Sequence, residues 1–285
     1  MKTPIFYKPR PFPPRGLKRK KFEALLNKAN HALEDYSAFL KDNPRCRSLI
    51  LPLFKMEALA STQSLETITN CKDIFGSKRS LPIAKVNQYV QALKWGARNI
   101  VKNPLSVPFL CTAHKKIKQG HTPKIDLGVL RNRQNWIGPQ GCSFEEAFFY
   151  PPPPKDVRPL TAKLCRFANR KQGDPLLTLA IFFSQFLLIH PFMDGNGRVV
   201  RLLIPLILYK KKDLPFPCVF LSPYFKRHRL QYILRLNEEL ENWIAFFLKA
   251  VLYAIRKEKA YLKEALSMRK ISRQALLKLI KKYQK

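Results

Sequence analysis

Acidic side chains are scarce. Against 53 lysines and arginines the 285 residues hold only 19 aspartates and glutamates, a net charge of +34. Such an excess draws polyanions, meaning nucleic acid, an acidic membrane face or phosphate-rich ligands. A solvated basic surface with no partner is an equal alternative. The basic residues run the length of the chain, and only RGLKRKK (15–21), YKKK (209–212) and the terminal KLIKKYQK are dense. No CxxC occurs among Cys46, Cys71, Cys111, Cys142, Cys165 and Cys218, and no histidines stand near them. That removes the spacing of a zinc site, and a chain this long does not need disulfide staples. A reducing cytoplasm is the expected setting, with the thiols as small buried groups. The opening MKTPIFYKPRPFPPRG lacks the apolar core of a secretory signal. The most apolar run, LLTLAIFFSQFLLI at 176–189, has 14 residues, short of the roughly 20 a bilayer needs. It predicts a buried core helix in a soluble protein. No internal repeat is evident.

What is present is mostly helical pattern. Hydrophobic residues make up 46% and aromatics 12%, enough to build a core over this length. Residues 1–17 are proline-rich and predict an extended segment, lying against the body or hanging free. Residues 18–110 read as helices: Lys18 to about Leu40, then SLILPLFKMEALASTQSLETI with Pro52 near its beginning, then the amphipathic 83–101. NPLSVP precedes a further helix carrying His114. Between 120 and 155 the periodicity disappears amid glycines, Trp136, Phe148, Phe149, Tyr150 and PPPP, which predicts a hairpin or extended loop. Helices resume at 156–170, 175–189, from about Arg198, and over 229–268. The sum is an all-α bundle with one irregular flap.

Within it stands HPFMDGNGRVVR at 190–201. Pro191 disfavours helical geometry at His190, so the core helix ends there. Gly195, Asn196 and Gly197 tolerate positive φ and suit a tight turn. A helix starting near Arg198 then offers its unpaired backbone N–H groups to an anion. Arg198 and Arg201, three apart, share one helical face beside it. Asp194 suits magnesium, which accompanies phosphates, and His190 has the reference pKa for proton transfer near neutrality. Together these residues describe attack on phosphorus.

The same twelve residues closely resemble the signature of the Fic family (filamentation induced by cAMP), H-P-F-x-D/E-G-N-G/K-R-x-x-R, with every defining position filled. NQYVQAL, VLRNRQNWIG, FFYPPPPKDV and LILYKKKDLPFPCVFLSPYFKRHRLQYILRL resemble the family's successive segments in its order, from about residue 20 to 255. The resemblance implies an all-α Fic-type helical bundle, with a small β-hairpin flap (about 131–150) over the active-site loop (190–198) in a core spanning 111–255. It implies a protein adenylyltransferase that moves AMP from ATP, with magnesium, to a Ser, Thr or Tyr hydroxyl of a target protein. His190 would be the base and Asp194 the magnesium ligand. Gly195, Asn196 and Gly197 would form the phosphate cradle, Arg198 and Arg201 the counter-charges, and Phe192 an anchor in the core. The flap would pair with the target's backbone as an added strand. Tyr232 would line the base pocket.

The segment EALASTQSLETI also resembles the family's inhibitory helix, S/T-x-x-x-E-G/N, over about 57–70. Thr62 and Glu66 have its spacing, whereas Thr67 stands where glycine or asparagine is usual. Glu66 would pair with Arg201 in the place of the γ-phosphate. Ser184 occupies a position where relatives often carry histidine. His31, His114, His121 and His228 read as structural or solvated. Residues 256–285 are too short for the winged-helix domain of many members and read as a basic helical tail. Reversal of the modification, transfer of another phosphate-containing group, and a weakly catalytic basic binding module are the alternatives. Nucleic acid is not required, a homo-oligomer is possible, and export by a route without a cleavable signal stays open.

Overall fold

Capping chemistry and prolines set the helix boundaries. The computed structural model describes residues 4–62, 81–119, 127–139, 141–212, 214–268 and 272–284, which hold twelve α-helices. These are α1 (Glu23–Asp42), α2 (Cys46–Leu49), α3 (Leu51–Thr62), α4 (Leu81–Ile100), α5 (Val107–Lys118) and α6 (Pro154–Ala168). After them come α7 (Pro175–Ile189), α8 (Asn196–Lys211), α9 (Ser222–Arg227), α10 (Arg229–Leu236), α11 (Leu240–Leu266) and α12 (Arg273–Gln284). The all-α reading is correct. None of the described helices is long and apolar enough to cross a membrane.

The apolar run at 176–189 is the central helix α7. Asp174 caps it by accepting from Leu177 N at 2.9 Å, and Pro175 takes the first turn, where an N–H has no partner to lose. Its buried face includes Ser184 and Gln185 as well as the phenylalanines. Helix α11 packs across it: Trp243 donates its indole N–H to Ala180 O at 2.8 Å and stacks on Phe183 at 5.3 Å. Helices α4 and α8 lie together, as do α7 and α8, so α7 and α8 bring the two ends of their connecting loop into the middle of the bundle.

The N-terminal helix is shorter than its periodicity suggests, because a 3₁₀ turn at Arg19–Lys21 precedes Phe22 and α1. The second helical stretch breaks at Ile50, just before Pro52, into α2 and α3. The helical stretch 229–268 is likewise divided into α10 and α11. The proline-rich segment lies against the body: Tyr7 N donates to Tyr150 O at 2.8 Å, Phe12 packs on Phe167 at 5.9 Å, and Lys18 N donates to Glu241 Oε1 at 2.9 Å.

The hairpin flap is not seen as paired strands. Its described residues carry two isolated bridges, Ile137 with Phe149 and Phe6 with Tyr150. Aromatic side chains hold the segment instead. Phe144 packs on Trp136 and Tyr150 at 5.5 and 4.8 Å, Tyr150 donates its hydroxyl to Phe144 O, and Trp136 donates to Cys142 O. The five described cysteines are free thiols.

Candidate active site

The loop between α7 and α8 is built by three side chains that never leave it. His190 ends α7 in the left-handed region (φ 52°, ψ 62°), its N–H still bonded to Phe186 O at 3.0 Å. A non-glycine residue in that region is held there by its surroundings. Phe192 is fully buried, against Phe186 on one side and face to face with His114 on the other, rings 4.1 Å apart. Asn196, also buried, accepts from Phe192 N at 2.9 Å and donates to Phe192 O at 2.7 Å, closing the turn on itself. Its side chain therefore staples the loop, and only its backbone is left for an anion.

Gly195 caps α8 with φ 84° and supplies no side-chain cap, which leaves the first N–H groups of that helix suited to an anion. A Cβ on Gly197 would stand 2.8 Å from a guanidinium nitrogen of Arg201, so glycine here lets Arg201 fold back over the helix start.

The charged groups interlock. Asp194, largely exposed, receives Lys118 and, at 3.1 Å, Arg198. Burial pushes its carboxyl up, but these two cations outweigh that and hold it below the ordinary carboxylate value. Arg201 donates from Nε to Ser61 Oγ and from a terminal nitrogen to Ser61 O, both at 3.0 Å. Tyr232 lies within hydrogen-bonding reach of the same guanidinium and packs on Trp243 at 5.8 Å. It thus joins Arg201 to the aromatic core.

The two histidines are in opposite tautomers. His190 Nδ1 faces Leu187 O at 3.1 Å. A carbonyl only accepts, so Nδ1 carries the proton and Nε2 keeps its lone pair. Burial lowers its pKa to about 4, leaving it neutral over most of the accessible range. His114 does the reverse: Nδ1 accepts from Gly128 N at 3.0 Å, and Nε2 donates to Asp194 O at 2.9 Å. Its role is to support the loop, in keeping with a structural histidine.

Sequence reasoning brought His190, Asp194, Gly195, Asn196, Gly197, Arg198 and Arg201 to one turn, and the fold leaves them there. It missed four supports. Lys118 and His114 brace Asp194. Ser61 holds Arg201. Arg131, 2% exposed, donates to His190 O at 2.8 Å and to Ile189 O and Pro152 O. Lys118 and His114 stand four apart on α5, a visible hint that one face carries polar groups inward. Thr62 turns back to its own helix, donating to Ala58 O at 2.7 Å. Glu66 and Thr67, like His121, lie outside the described residues.

Along α7 lies a cavity of about 280 Å³, whose lining includes Ser184, Gln185 and Leu188 of α7, Phe149 of the flap, and Asn237 and Trp243. Among the described residues no group of three His, Cys, Asp or Glu could hold a metal by itself. Asp194 is thus a single exposed carboxylate. That suits an ion whose remaining ligands are phosphate oxygens and water.

An all-helical bundle whose central loop gathers an open helix start, two guanidiniums and an imidazole has the residues that suit a phosphate. Residues 104–208 match the model of the Fic/DOC family. The chain is 27% identical over 152 residues to the protein adenylyltransferase Fic of Drosophila yakuba, covering 52% of this chain and 28% of that one. It is 29% identical over 120 residues to the protein adenylyltransferase fic-1 of Caenorhabditis briggsae, covering 41% and 21%. The match therefore spans under a third of those relatives. In fold it is similar to a Fic family protein from Desulfovibrio desulfuricans G20 (TM-score 0.61, 20% identity, 90% of this chain and 84% of that one). The same holds for Fic-1 (aa134–508) from C. elegans (0.63, 16%, 84% and 71%).

Proposed function

We propose that the protein transfers AMP from ATP to a hydroxyl side chain of a target protein. The observation that carries this reading is the unprotonated Nε2 of His190 beside the open start of α8. The names of the Drosophila and Caenorhabditis relatives agree with it.

His190 Nε2 takes the proton of the target's Ser, Thr or Tyr hydroxyl. The oxygen forms a bond to the α-phosphorus while the bond to pyrophosphate breaks. Backbone N–H groups at the start of α8 receive the phosphate oxygens, and Arg198 and Arg201 neutralise the charge that develops. Asp194 would hold magnesium together with those phosphates, an ion that supplies charge neutralisation and alignment there. Lys118 and Arg198, now on the same carboxylate, would share it. The nucleoside end is assigned to the cavity between α7 and Phe149 of the flap, which Tyr232 does not itself line. The Tyr150 edge of the flap is already taken by the chain's own Tyr7, which leaves a target's backbone the edge at Trp136 to Gly138.

Restraint belongs to the same proposal. Arg201 is held by the last turn of α3, and Glu66 follows Ser61 by five residues. That closeness in sequence supports a reading in which Glu66 restrains Arg201. Incubation with α-labelled ATP and magnesium tests both parts. Label on protein that His190→Ala abolishes, and that Glu66→Gly raises, is the expected result. Equal labelling of wild type and His190→Ala would end the catalytic reading, and equal labelling of wild type and Glu66→Gly the inhibitory one.

A further inference from the structure

We infer that the N-terminal arm is a wall of the nucleotide cleft, with Tyr7 and Arg10 receiving the nucleoside end of the ligand. The inference rests on the proposed function and adds residues from a part of the chain that the loop motif does not reach.

The arm is stitched into the cleft at both its sides. Toward the flap, Phe6 bridges Tyr150 in parallel, Tyr7 N donates to Tyr150 O at 2.8 Å, and the Tyr7 ring lies 5.5 Å from that of Phe149. Toward the core, the Tyr7 hydroxyl donates to Gln185 Oε1 at 3.0 Å. Gln185 is 2% exposed and sits five residues before His190 on α7. With that oxygen occupied, the amide N–H groups are what Gln185 chiefly offers a ligand, donors suited to the ring nitrogens of a base.

Tyr7 and Arg10 line the 280 Å³ cavity together with Gln185, Asn237 and Trp243, and the paired Arg235 and Glu238 also line it. That size admits a nucleoside-sized fragment rather than a large cofactor. Arg10 is exposed, and its charge is near enough to act on both the Tyr7 phenol and the Glu239 carboxylate. This sets the guanidinium across the cavity's rim, between the arm and the start of α11. A planar cation there can lie over a purine face or take a ribose oxygen. The arm is no loose tail, since Phe12 on Phe167 and Lys18 on Glu241 hold its far end.

Calorimetric titration of the full chain with ATP and, separately, with inorganic tripolyphosphate separates the wall from the phosphate site. Arg10→Ala should weaken ATP by about 3- to 10-fold, as expected for one cation–π or hydrogen-bonding contact, and leave tripolyphosphate unchanged. Tyr7→Phe, which keeps the ring and removes only the hydroxyl, should weaken ATP in the same direction by about 2-fold or more, the scale of one lost hydrogen bond. Equal weakening of both ligands would reduce Arg10 to a distant charge and overturn the inference. So would ATP affinity unchanged in both variants, or a wild type that binds tripolyphosphate no less tightly than ATP. A wild type that binds neither ligand removes the proposed function itself.

Discussion

At the scale of single residues, the feature with most consequence is the tautomer of His190. Its Nδ1 proton is committed to Leu187 O, and burial lowers its pKa to about 4. In the unfolded chain the value is about 6.5. Between those limits the unfolded chain binds a proton that the folded protein does not. This residue's contribution to stability is therefore full above pH 6.5 and is lost as pH falls toward 4. For the proposed catalysis the same shift would keep His190 available as a base well into acid. NMR titration of the His190 ring is expected to show a neutral imidazole at pH 5.5 and a midpoint near 4. A midpoint at 6 or above would remove the argument. The reactive residues were legible because they are contiguous, and one turn fixes their mutual placement. Lys118 was not, because it meets Asp194 across 76 positions. Helical periodicity reveals which face turns inward but not whom it meets.

Elements show the same division. The ends of α7 and the start of α8 were readable from Pro191 and the glycines, as was the extended arm from its prolines. The break of the second helical stretch at Ile50 and the 3₁₀ turn before Phe22 were not, since neither Ile50 nor the basic Arg19–Lys21 is a glycine or proline that would mark a break. The flap's backbone pairing is limited among the described residues to the antiparallel bridge of Ile137 with Phe149, and its aromatics add side-chain packing that alternating hydrophobicity does not encode. The loop between α7 and α8 depends on one side chain above all. Asn196→Ala would strip Phe192 N and O of their buried partner, at a cost of about 1–3 kcal/mol. The urea midpoint should fall accordingly, and amide exchange should rise first at 190–196. An unchanged midpoint would mean that the stacking of Phe192 on His114 holds the turn unaided.

Over the whole molecule, two acidic residues among those described are fully enclosed. Glu57 accepts from Tyr89 at 3.2 Å and from Ser222 N at 3.0 Å. Glu258 accepts from Val219 N, Phe220 N and the Tyr36 hydroxyl at 2.9, 2.6 and 3.0 Å. It thereby secures Val219 at φ 69°, a costly conformation for a β-branched residue. Burial pushes both carboxyls up to about 7, against roughly 4.3 in an unfolded chain. Between these values the folded protein keeps protons that the unfolded chain has released. Their stabilising contribution is complete below about 4.3 and declines as pH climbs to 7, the reverse of His190. Urea unfolding of the wild type at pH 5 and 7.5, compared with Glu258→Gln in 0.5 M salt, should show a shallower loss in the variant. Parallel losses would mean that neither carboxyl retains its proton. None of this was visible in the sequence, where an isolated glutamate on a helix looks like any solvated one.

The grip of Ser61 on Arg201 carries one more implication. The helix terminus contributes its carbonyl as a stand-in for negative charge, so a ligand that needs the same N–H groups of Arg201 competes with an internal rival. Measured affinity is then the intrinsic value multiplied down by the fraction of molecules in which the guanidinium is free. If that fraction were about one in a hundred, weakening the grip alone would tighten ligand capture about a hundredfold, with no new contact made.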